Sequence, residues 1–151
     1  MISRGSWRII SRVLAQPWDF VLGVNCFIIG LALSVSLFFT DTPLLTSVQA
    51  LPEVLDAAWS VGFFLGGSGL VLAVLWQGSD YVGRAIQRSA LYLTGSSLMA
   101  YAVAIGFIYG LAGALPVALA LSLSLGCGIK HHALKQVDGT QVTVPGKPSV
   151  L

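Results

Sequence analysis

From Ser89 to Ile129 the chain runs 41 residues without a charged side chain or a histidine. One straight helix of that length would reach about 60 Å, roughly twice the hydrocarbon thickness of a bilayer. The run must therefore fold back on itself. Gly110, Gly113 and Pro116 mark the place, since glycine permits a tight turn and proline is tolerated in the first turn of the next helix. Two helices are expected, over 89–111 and 114–129. The second is short for a full crossing. It either continues past Ile129 or sits where the bilayer thins, and a re-entrant segment is the alternative.

Two further stretches, Phe20–Phe39 and Ala57–Trp76, each supply 20 uncharged residues. With 56% hydrophobic and 9% charged residues and a mean hydropathy of +0.85, the chain departs from soluble domains, where about a quarter of residues are charged. In lipid all backbone groups must be paired internally, which leaves helices or a closed barrel. The apolar runs are continuous rather than alternating, so they are helical. The expected fold class is an all-α integral membrane protein, a bundle of four transmembrane helices over about 20–39, 57–76, 89–111 and 114–129. A short amphipathic interfacial helix within 1–18 precedes it. A tail over 130–151 follows, basic at first and then, from Gln136 through Gly139, Pro145, Gly146 and Pro148, flexible.

The basic residues set the orientation. Arg4, Arg8 and Arg12 precede the first span, Arg84 and Arg88 lie between the second and third, and Lys130, Lys135 and Lys147 follow the fourth. The loop between the first two spans has no base but holds Asp41, Glu53 and Asp56. Four crossings put every base on one side, which gives N-in, C-in topology. A cleaved signal peptide competes for the first span, with Ser34-Val35-Ser36 as its small-residue triplet. The apolar core exceeds the usual 7–15 residues of such a peptide, so an uncleaved span is preferred.

Arg4, Arg8 and Arg12 share one helical face, and Trp7, Ile10 and Leu14 share the opposite one. That is the pattern of a helix lying in the interface with arginines toward anionic headgroups, either as a plain anchor or as a surface-binding element. Pro17 is expected to end it and Trp18 to anchor the first span. Across the membrane, Leu44, Val48, Leu51 and Leu55 repeat at helical spacing, interrupted by Pro52.

Chemistry is sparse. Asp19, Asp56 and Asp80 fall at or outside span ends, so no ionisable group is expected deep in the membrane, and a proton-coupled carrier is disfavoured. Asn25, the amide inside the first span, is expected to bond a neighbouring helix. His131 and His132 point about 100° apart on a helix and do not converge on one metal. Cys26 and Cys127 sit at similar depth near the reducing side and read as small packing residues. With no paired carboxylates, phosphate-binding glycine loop or CxxC, no cofactor and no enzymatic activity are expected. A net charge of +2 implies no nucleic-acid partner.

Small residues are the main positive signal. Gly62, Gly66 and Gly69 repeat along the second span, Ala102, Gly106 and Gly110 along the third, and Ser122–Gly126 and Ser124–Gly128 along the fourth. Such ladders let helix backbones approach closely, within one chain or between copies. Thr94, Ser97 and Tyr101 form a hydroxyl stripe that either wets a pore or satisfies carbonyls inside a bundle.

The segment Arg84–Gly95 and its continuation through Val103 resembles small multi-span membrane proteins of actinobacteriophages, in which a charged pair opens a Gly/Ala-rich third span after a short basic loop. The resemblance covers about a third of the chain and implies a phage-encoded or bacterial inner-membrane protein, some relatives being assigned as holin-like. No residue role carries over. The expected partners are the lipid bilayer and either further copies of the chain or other membrane proteins. Two functions follow: a holin-like or channel-like oligomer that permeabilises the membrane, or an adaptor subunit of a membrane complex.

Overall fold

The computed structural model describes residues 11–39 and 53–142, among which there is no strand. Four long helices, α1 (Pro17–Phe39), α2 (Glu53–Leu75), α3 (Asp80–Tyr109) and α4 (Ala114–Val142), follow one another, the last two joined by a 3-10 turn at Gly110–Gly113. Three stretches, Pro17–Val35, Ala57–Leu75 and Asp80–Val137, are long and apolar enough to cross a membrane, and the third contains that turn. Arg4, Arg8 and the amphipathic patterns over 1–10 and 40–52 lie outside the described residues.

Several boundaries differ from the sequence reading. The third helix starts at Asp80, nine residues before the expected Ser89, so Arg84 and Arg88 lie on α3 and not in a loop. Asp80 places a carboxylate at the positive end of the helix dipole, which favours initiation there. The fourth helix passes the expected end at Ile129 and runs unbroken to Val142, taking in residues 136–142, which the composition marks as flexible. Helix formation does not stop where the apolar run stops. Ala133, Leu134, Lys135 and Gln136 are good helix formers, and Leu134 packs against the core. The helical segment ahead of α1 stops at Ala15, just before Pro17 opens the next helix. Residues 11–15 are helical, the Gln16 amide donates to the Arg12 carbonyl at 3.0 Å, and the Phe20 amide donates to the Gln16 carbonyl at 3.2 Å. Proline lacks an N–H that the first turn would leave unpaired anyway, so the chain bends at Gln16 and continues.

The fold-back rests on Gly110, which has φ +50° and is the one residue of positive φ among those described. A side chain there would be strained, although nothing crowds the position.

Each helix packs on the next in antiparallel fashion, and glycines make the close approaches. Between α1 and α2, Gly30 meets the backbone of Phe64, and Gly67 meets the backbone of Phe27. Between α2 and α3, Gly62, Gly66 and Gly69 face Ser97, Thr94 and Ala90 in turn. Between α3 and α4, Gly95 lies against Cys127, and the Ser124 hydroxyl donates to the Gly95 carbonyl at 2.8 Å. Leu22, Cys26, Leu70, Leu91, Leu98 and Cys127 fill the centre. The outside is equally apolar: Phe107 is 87% exposed and Leu111 95%. Such a surface suits lipid and would aggregate in water.

Alanine at Gly67 would bring a methyl group to 2.8 Å from Phe27 Cα, whereas at Gly128 it would meet nothing within 4 Å. Gly67→Ala is therefore expected to destabilise the bundle by about 1–3 kcal/mol and Gly128→Ala to leave it unchanged or slightly better. Unfolding of the purified chain in detergent distinguishes the two.

Candidate functional site

The antiparallel order brings the starts of α1 and α3, the end of α2 and the middle of α4 to the same end of the bundle. Arg12, Arg84, Arg88, Lys130 and Lys135 gather there. So does Asp19, in the first turn of α1, which is wholly buried. Its Oδ1 accepts a charge-assisted hydrogen bond from Lys130 Nζ at 2.7 Å, across 111 residues of chain. Its Oδ2 accepts from the Gln87 side-chain amide of α3, and the same amide donates to Gln16 Oε1 at 3.1 Å. Both carboxylate oxygens and both amide protons are thus satisfied, as a buried charge requires.

Asp19 lies at the end of its span, where the sequence puts it, and its burial there is what the structure adds. The overhang of α3 and α4 beyond that level covers it with Gln87 and Lys130. The available signal was positional: Asp19 is an acid on the basic side, at the same level as the lysine that closes the 41-residue run.

Next to this cluster, His131 donates from Nδ1 to the Arg88 carbonyl at 3.1 Å, and its ring lies 5.9 Å from that of Tyr92. His132 is exposed, so the two imidazoles diverge. Among the described residues no three His, Cys, Asp or Glu side chains are grouped to hold a metal.

Beside the Asp19 cluster is an open recess. Arg12, Gln16, Arg84 and Gln87 are its polar lining, and Ala15, Ala73, Val74 and Leu134 its apolar lining. Trp76, in the short link between α2 and α3, closes one side, and Asp80 stands at the rim. The indole ring packs under the backbone at Gly78 and Gly83, and its buried Nε1–H has no acceptor among the described residues.

Comparison with known proteins adds nothing to this geometry. No family model, curated protein or solved structure matches the chain.

The other residues singled out from the sequence divide between the inside and the outside of the bundle. Ala102 is buried, while Gly106 makes only an ordinary contact with Val117. Ser122 faces outward, bonded to its own helix at Ala118, and Gly126 lies near the Trp18 ring. The hydroxyl stripe faces α2: Ser97 donates to the Leu93 carbonyl at 2.9 Å, Thr94 is fully buried, and Tyr101 meets Trp59 edge-on at 5.4 Å between ring centres. Asn25 departs from expectation. It points away from the bundle and donates to the Val21 carbonyl of its own helix at 2.8 Å, because glycines rather than polar side chains form the α1–α2 contact.

Removing Lys130 would leave Asp19 buried without its counter-charge. Lys130→Met is expected to destabilise the bundle by about 3–5 kcal/mol, and adding Asp19→Asn to restore most of the loss. Equilibrium unfolding of the two variants in mixed micelles reads both values.

Proposed function

We propose that the protein is a non-enzymatic four-span adaptor, N-in and C-in, that docks one helix of another membrane protein on the outer face of α1. The observation that carries this reading is a stripe on that face. Val21, Asn25, Ile28, Ala32 and Val35 are all exposed and follow a 4-3-4-3 spacing, the spacing of a left-handed helix pair. Asn25 sits in the middle of it. One amide proton is used within the helix, and the remaining donor and acceptor face what would be hydrocarbon. A polar group there favours a partner helix that offers a complementary one, a contact worth about 1 kcal/mol.

The same geometry supports an adaptor over a permeabilising ring. A ring of copies needs two different complementary faces on every copy. The glycine-rich faces of α2 that would serve as the second are turned inward, toward α1 and α3.

Two measurements test this. A photo-crosslinker at Ile29 in the native membrane is expected to yield an adduct with a different membrane protein, lost in Asn25→Leu, whereas one at Leu119 on α4 yields none. Adducts of the chain with itself alone, together with a fall in membrane potential on expression, would replace the adaptor with a holin-like assembly. In a background free of Cys26 and Cys127, a cysteine at Ala112 is expected to react only from the non-cytoplasmic side and one at Lys135 only from the cytoplasmic side.

A further inference from the structure

The recess beside Trp76 has no part in the docking stripe, and its lining has a chemistry of its own. Two guanidinium-bearing residues reach it from different elements, Arg12 from the segment ahead of α1 and Arg84 from the second turn of α3. They share one cavity with Gln16 and with Gln87, whose amide protons are held by Asp19 and Gln16. Guanidinium forks match phosphate oxygens with paired hydrogen bonds, and they hold their charge at any physiological pH. A soluble anion site would be polar all round. This one is lined by apolar as well as polar residues, among them the buried Val74 and the half-buried Leu134. The amphiphilic lining matches a ligand that is itself anionic at one end and hydrocarbon at the other.

Its position agrees. The recess lies at the basic end, level with the start of α1, where the apolar part of the helices gives way to the charged extensions of α3 and α4. Phosphate groups of one leaflet stand at that level when the apolar segments occupy the hydrocarbon. Trp76 is at the same level, the usual depth for tryptophan in membrane proteins.

We infer that the recess between Arg12 and Arg84 is a seat for the phosphodiester headgroup of an anionic membrane lipid, with the lipid's glycerol end against Val74 and Leu134. The phosphate lies between the two guanidinium groups. Asp80 at the rim opposes it and limits the affinity. This seat is independent of the α1 stripe, so loss of lipid binding leaves the adaptor reading standing, and loss of partner docking leaves the seat standing.

The test uses the full chain in a non-ionic detergent with dioctanoyl phosphatidylglycerol as probe. Binding is followed by native mass spectrometry and by the rise in melting temperature. Arg12→Gln and Arg84→Gln are each expected to weaken binding about fivefold, and both together about twenty-five-fold. Lys135→Gln removes an exposed positive charge outside the recess and is expected to change nothing. Asp80→Asn is expected to tighten binding, and it keeps the test decisive should the double arginine variant fail to fold. Inorganic phosphate and glycerol 3-phosphate at the same concentrations are expected not to compete. Undiminished binding by the double variant, an equal loss in Lys135→Gln, or weakening by Asp80→Asn would overturn the seat. Full competition by inorganic phosphate would overturn the lipid as its source.

Discussion

A carboxylate without water must find its counter-charge in the protein, and the ion pair of Asp19 with Lys130 organises the basic end of this bundle around that requirement. The first three helix contacts of the chain are between sequence neighbours and rest on glycine. The contact between the first and last helices is different. It is made where Asp19 reaches across to Lys130 and where Trp18 lies against Gly126. Gln87 ties the third helix into the same point by donating to both Asp19 and Gln16. A pair of this kind contributes less to net stability than to which arrangement is allowed, because alternatives that separate the partners carry the full penalty of a bare buried charge.

Helix packing in this chain is a matter of subtraction. Each of the three helix pairs has tight contacts where one side has no side chain: Gly30, Gly67, Gly62, Gly66, Gly95. Between apolar surfaces already dissolved in lipid there is little hydrophobic gain to be had from association, and close van der Waals contact must supply the attraction. The buried hydroxyls of Ser97 and Ser124 extend the same logic, since each donates to a carbonyl within reach.

Much of this was legible from residues alone, and the reasons differ by feature. The helical stretches followed from run length, because lipid leaves the backbone few choices. The fold-back at Gly110 followed from arithmetic on a 41-residue run. The helix ends did not follow. Residues 80–88 and 130–142 are polar and were assigned to loop or tail, yet they extend the α3–α4 hairpin outside the apolar zone, where propensity and mutual packing decide. The polar cluster was hidden for a related reason. Nothing local distinguishes an aspartate facing water at a helix start from one roofed by a glutamine 68 residues later. Asn25 was misread in the opposite direction, since composition shows that an amide lies within a helix and not which way it faces.

The long sequence separation between Asp19 and Lys130 has a consequence for how the protein is made. Synthesis delivers α1 to the membrane first, with its carboxylate still lacking a counter-ion, and the lysine emerges 111 residues later, after the other helices. The ion pair is in this sense a record of completion: it can close only in a chain whose last helix has been made.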